Sequence, residues 1–219
     1  MCGRFNLTSP AEIQARFGFV DWHERRVTPR FNIAPSQDIL TIVQSPGNPP
    51  EAQDATWGFA PHWLRSGSSK PLINARAESV ATSGLFRSAL ARTRCLIPAT
   101  GFYEWRAEPG ATGRTPMHMQ LTSGVPFAFA GLWVAGKAGQ PTATIITTGA
   151  NDLMRSIHTR MPVILRREDE RLWLDPAVTD PRLVLPLLEP YPSELLSAYP
   201  VGRAVNAVAN DDSELVVPV

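Results

Sequence analysis

The chain is built from short apolar runs separated by polar turns, with few long amphipathic periods. Ser9 and Pro10 open a short helix, with Ser9 as N-cap, Pro10 at the first helical position and Glu12 in the first turn. Ile13 and Phe17 turn inward and Gly18 ends it. Residues 31–35 are extended and close on a proline. Residues 39–43 alternate as a strand does, and 55–60, with Trp57 and Phe59, form another apolar strand broken by Pro61. Residues 46–50 and 66–70 are loops, the second too short for a domain linker. Residues 74–79 are read at a helix start and 85–90 as helical. Strands over 95–99 and 102–106 join at Thr100-Gly101, with a loop over 108–115. Residues 117–121, 127–134 and 142–147 read as three more strands, the middle one with small residues that imply tight packing. A short helix over 151–157, an extended 162–165 and a helix over 168–174 follow. Residues 181–199 are proline-rich with one helical turn, and 215–219 are a short apolar segment. Strands dominate without regular helical crossovers, so the fold class is α+β with a mixed or antiparallel sheet, not a doubly wound one.

Composition narrows the function classes. The 219 residues are 43% hydrophobic and 19% charged, ordinary for a soluble globular chain with a core of its own. Net charge is +1, so no global field draws the chain to nucleic acid, and an anion site must be a local patch. Only Lys70 and Lys137 are lysines among 21 basic residues, which suits bidentate phosphate contacts and equally a coding bias. Cys2 and Cys95 make no disulfide framework, and Cys95 sits in an apolar strand. No run approaches a membrane span and no basic segment precedes an apolar core at the N-terminus, so a cytoplasmic protein with no membrane partner is expected. The four histidines form no metal-ligand spacing, and no phosphate loop or nucleophile elbow is present. No metal and no cofactor are therefore expected.

Cys2 opens the chemistry. A small residue in second place favours removal of Met1, which leaves an α-amine and a thiol on one residue. Their reference pKa values, about 7.7–8.0 and about 8.5, give both a nucleophilic fraction near neutrality. An aldehyde meeting this pair forms an imine, on which the sulfur closes to a five-membered thiazolidine. The alternative is an incidental cysteine on a frayed terminus. Three further segments place polar groups in apolar surroundings. Asn74, Arg76 and Glu78 follow Leu72-Ile73, as a helix cap with a surface salt bridge or as a site. Glu104 lies inside the aromatic strand Phe102-Tyr103-Glu104-Trp105, sharing a face with Phe102, and either meets water or is buried as an acid/base group. His158 and Arg160 precede an apolar strand.

Six segments stand in a telling order. They are Met1-Cys2-Gly3-Arg4-Phe5, Asn32-Ile33-Ala34-Pro35, Trp57-Gly58-Phe59-Ala60-Pro61, Asn74-Ala75-Arg76-Ala77-Glu78, Gly101-Phe102-Tyr103-Glu104-Trp105 and Ile157-His158-Thr159-Arg160-Met161-Pro162. Together with Arg203-Ala204-Val205-Asn206 and the ending Leu215-Val216-Val217-Pro218-Val219, they resemble the motifs of the SRAP family, the SOS-response-associated peptidases. The resemblance implies one α+β domain over residues 1–219 around a strongly bent, mostly antiparallel, barrel-like sheet with short peripheral helices. It implies a monomer that binds single-stranded DNA carrying an abasic site and crosslinks to it through Cys2, with lyase character. Cys2 is then the nucleophile, Asn74 holds the amine and the opened sugar, and Glu104 and His158 move protons. Arg4 and Arg76 clamp phosphates, Thr147 is a weaker contact, and Pro35, Trp63 and Trp105 stack on or wedge against bases. Two other classes stay open: a cysteine peptidase or autopeptidase using Cys2 with His158, and a non-catalytic single-strand-binding module.

Overall fold

In a computed structural model, residues 2–63, 72–108, 110 and 112–219 are described. The expectations about Met1 and about the 66–70 loop lie outside them. Among the described residues, twelve strands form two sheets. The first closes on itself. Strands β3 (Asp38–Val43) and β4 (Glu51–Trp57) make a hairpin, β6 (Arg94–Ala99) pairs β3, and β9 (Phe127–Ala135) pairs β6. β10 (Pro141–Gly149) pairs antiparallel with β9 and parallel with β4, which completes a five-stranded barrel. Two three-residue strands extend β10 beyond the barrel: β5 (Asn74–Arg76), parallel, and β11 (Arg160–Pro162), antiparallel.

The second sheet is antiparallel throughout, in the order β12 (Leu196–Pro200), β8 (Arg114–Leu121), β7 (Gly101–Ala107), β1 (Phe5–Leu7) and β2 (Arg30–Ile33). β6 of the barrel passes through Thr100 straight into β7 of this sheet. An aromatic seam fills the junction: the Phe5 ring stands 5.2 Å from Trp57 and 5.8 Å from Phe129, and Phe102 lies 6.0 Å from Phe129, all edge to face. Such pairs add about 0.5–1.5 kcal/mol each beyond the area they bury.

The short helices are peripheral: α1 (Pro10–Arg16), α2 (Ala77–Val80), α3 (Arg87–Arg92), α4 (Asp152–Arg155) and α5 (Glu170–Leu174). Among the described residues no helix is long and apolar enough to cross a membrane. Ser9 does cap α1, though its side chain makes no capping hydrogen bond, and Ile13 and Phe17 are fully buried as expected. The small residues of β9 do serve close packing. A Cβ on Gly131 would come within 2.8 Å of the Cys95 sulfur and of Ile97.

Several element assignments change. Asn74 does not start a helix but opens strand β5, and α2 begins only at Ala77. Three residues carry too little local signal, and it is the parallel register with β10 that extends them. The proline-rich stretch 181–199 holds three short 3-10 turns and most of β12, whose order likewise comes from pairing with β8. β4 and β8 start earlier than expected, at Glu51 and Arg114.

Gly101 is the tightest point in the path to β7. A Cβ there would run into His118 Nε2 and lie 2.8 Å from the Met119 carbonyl oxygen, and the carbonyl is part of the paired strand β8. Gly101→Ala should therefore cost about 1–3 kcal/mol, the usual range for overpacking. Urea denaturation checks this, and a wild-type midpoint would show that β7 has slack.

Candidate functional site

β1 is only three residues long, yet it sets the N-terminal segment along β7. Phe5 pairs with Phe102 and Asn6 with Gly101, and the Tyr103 N–H donates to the Arg4 carbonyl at 2.9 Å. Cys2 and Gly3 precede this ladder. Cys2 is fully buried, and its Sγ lies 3.9 Å from the Arg4 carbonyl oxygen. Burial pushes its thiol far above the ordinary range, and the negative charge of Glu104 pushes it further. Glu104 is itself buried, on the Phe102 face of β7, while Tyr103 and Trp105 pack on the other face against Val201, Val205 and Leu215. Alternation along the strand thus separates the carboxylate from its aromatic neighbours, as the sequence implies.

The second part of the site is built on β10. β5 lies beside it, with Asn74 paired to Ile145 and Arg76 to Thr147. Both amide atoms of Asn74 are buried and meet no hydrogen-bond partner among the described residues. Leaving such a group unsatisfied costs about 1–3 kcal/mol, so its retention points to a ligand. β11 lies on the other side of β10. Asn151 caps α4 by accepting from the Met154 N–H at 2.9 Å, and the chain turns through His158 into β11. The Arg160 backbone N–H donates to His158 Nδ1 at 3.0 Å, which sets the neutral ring as the Nε2–H tautomer. The Arg160 guanidinium donates to both Glu78 oxygens, at 2.9 and 3.0 Å, and to the Thr147 carbonyl at 2.6 Å. That bidentate bond holds the Glu78 carboxyl below its usual range.

One aromatic contact joins the two parts. Phe5 packs on Trp57, whose indole N–H donates to the Ile73 carbonyl at 3.0 Å, directly before Asn74. The remaining expected residues are placed as follows. Arg4 Nη1 donates to Asn32 Oδ1 at 2.7 Å and to the Val205 carbonyl at 2.8 Å, with the guanidinium carbon 5.7 Å from the Trp105 ring centroid. Arg76 is exposed, Thr147 is fully buried, and Pro35 is half-buried beside Ser36, whose φ is 69°. Trp63 is 56% exposed and lines a cleft with Phe59, Pro61 and Leu85. Among the described residues no three metal-ligating side chains converge.

A family profile described as SOS response associated peptidase (SRAP) matches residues 1–208. The chain belongs to the SRAP family. It is similar to the abasic site processing protein YoqW of Bacillus subtilis (strain 168), 42% identical over 99% of both chains. It is also similar to the abasic site processing protein YedK of Escherichia coli (strain K12), 28% identical over the full length of both. A crystal structure of a Bacteroides thetaiotaomicron protein superposes with a TM-score of 0.84 at 26% identity, covering both chains entirely.

Some residues around this candidate site take no role from the sequence. Asn32 accepts from Arg4 and donates to the carbonyls of Val205, Ala207 and Asn210. Asp211 accepts from the backbone N–H groups of Phe31 and Asn32 and from Arg30. Behind β7, a buried network joins Asn6, Tyr103, Thr100 and His118. Thr100 Oγ1 donates to Asn6 Oδ1, which leaves Asn6 Nδ2 to donate to Tyr103 Oη at 3.2 Å and to His118 Nε2 at 2.7 Å. His118 is therefore held neutral with Nε2 accepting, between the rings of Tyr103 and Tyr199.

Burial pushes His118 down to about 4 from an ordinary 6.5. Its folded pKa is depressed, so the unfolded chain binds the extra proton first. The stability it contributes is complete above about pH 6.5 and is lost as pH falls toward 4. Between pH 7 and 4 the unfolding free energy should fall by on the order of 3 kcal/mol more in wild type than in His118→Phe, read from denaturant titrations. Parallel pH profiles would contradict this placement of the histidine.

Proposed function

We propose that this protein processes abasic sites in single-stranded DNA by forming a covalent crosslink through Cys2 after Met1 is removed. The opened deoxyribose presents an aldehyde. The freed α-amine adds to its carbon and the carbinolamine loses water, leaving an imine. The Cys2 sulfur then adds to the imine carbon while its proton passes to the nitrogen. In sum, C–N and C–S bonds replace the C=O bond and one water leaves. Elimination from the imine would break the strand and accounts for lyase character.

The single observation that carries this reading is a fully buried Cys2 thiol that feels the negative charge of the buried Glu104 carboxylate. A thiol held protonated by burial and by a neighbouring negative charge is a poor first nucleophile. The amine therefore attacks first. The sulfur follows once the imine carbon is next to it, with Glu104 positioned to take and return protons. His158, set as the Nε2–H tautomer by the Arg160 N–H, donates to the sugar oxygen during ring opening. The buried amide of Asn74 suits the polar atoms of the opened sugar. Arg4 and Arg76 serve the flanking phosphates, and Pro35, Trp63 and Trp105 the bases, whereas the fully buried Thr147 acts only by holding Arg160. The names of YoqW and YedK support the substrate class.

A thiol-peptidase reading needs a thiolate activated by a nearby base. Among the described residues, Cys2 Sγ makes its one hydrogen bond to a backbone carbonyl, and its pKa moves the wrong way. A passive strand-binding module does not need a buried carboxylate beside that sulfur.

Incubating Met1-free protein with a single-stranded oligonucleotide bearing one abasic site should give a shifted band on a denaturing gel. Cys2→Ala should give none, and Glu104→Gln should slow its appearance by about 10²-fold or more. The rate should be bell-shaped in pH, because the amine must be free while an acid assists dehydration. An equal band from Cys2→Ala would overturn the reading.

A further inference from the structure

The far end of the β7–β8 hairpin carries residues that the chemistry at Cys2 does not use. The register Tyr103↔His118, Trp105↔Pro116 and Ala107↔Arg114 puts Trp105 and Arg114 on the same face. Trp105 is half-buried. Its indole N–H donates to Asn206 Oδ1 at 2.7 Å, and Arg4 sits over its ring. Asn206 closes a 3-10 turn that Arg203 opens. Arg203 Nη2 lies 3.7 Å from where a side chain on Gly113 would begin, so the guanidinium reaches the residue next to Arg114.

Arg114 and Arg203 are exposed, and neither forms an ion pair among the described residues. Glu108, just past the end of β7, already accepts from Arg106 at 2.8 Å. In a chain of net charge +1, an unneutralised arginine pair beside a fixed indole is a local anion site. A flexible arginine pair alone would suit any polyanion. An indole whose plane is set by a hydrogen bond adds a stacking surface, and only a strand carrying bases uses both.

We infer that the nucleic-acid strand continues from the Cys2 site over Trp105 and that Arg114 and Arg203 take its backbone phosphates, with Asn206 as the residue positioning Trp105. This rests on the reading that the protein binds single-stranded DNA, but it concerns residues outside the reaction centre. The contacts are to phosphate and are independent of base sequence.

The test is equilibrium binding of the full chain to an undamaged, labelled single-stranded oligonucleotide, which has no aldehyde and cannot crosslink, over a range of salt. Removing one phosphate interaction lowers the slope of log K against log salt by about 0.7 for single strands. Arg114→Ala and Arg203→Ala should each flatten the slope by about that amount, the double variant by about twice as much, and Arg203→Lys should keep it. Arg155→Ala, an exposed arginine paired with Asp152, is the control and should leave the slope unchanged. Asn206→Ala should weaken binding severalfold in the wild-type background and add nothing in a Trp105→Phe background, a coupling that general loss of structure would not produce. A double variant with the wild-type slope would overturn the strand path alone, provided the wild type binds. No binding by the wild type would instead overturn the function on which it rests.

Discussion

Docking of the N-terminal strand onto β7 is the constraint from which the site follows. β1 has three residues and pairs with β2 and β7, so its hydrogen bonds alone would not hold it. Phe5 supplies the rest by inserting edge-on between Trp57 and Phe129 of the barrel. With Phe5 locked, the three preceding residues have little freedom, and Cys2 is delivered into the core. A residue that would fray as a bare terminus is thereby fully buried.

The two sheets divide the work. The second sheet holds Cys2 and Glu104, and β10 of the barrel holds Asn74, Thr147 and the Arg160–His158 pair through its two short flanking strands. The continuous run from β6 to β7 and the Phe5–Trp57–Ile73 contacts tie them together. Burial and the negative charge of Glu104 both push the Cys2 thiol upward, and the proposed order, nitrogen before sulfur, follows from that.

Much of this is legible in the chain. The inward Phe102–Glu104 face and its aromatic reverse follow from strand alternation, and the closely packed β9 follows from its small residues. Cys2 and Glu104 stand out by their chemistry alone, whereas their association with Asn74 and His158 comes only from the ordered family motifs. Asn74 looks locally like a helix start because β5 exists through its pairing with β10, a contact about seventy residues away in sequence. The same holds for β12, and for Asn32, whose partners lie in the C-terminal turn. The His118 network is invisible for a related reason: its members are ordinary polar residues whose meaning appears only when β1, β7 and β8 are adjacent.

The composition of the covalent product bears most directly on the chemistry at Cys2. Intact mass spectrometry of the complex formed with an abasic single-stranded oligonucleotide, without any reducing agent, measures it. The predicted mass is that of the chain lacking Met1 plus that of the oligonucleotide, less one water. A stable adduct that retains Met1, or one that forms with undiminished yield from Cys2→Ala, would contradict it.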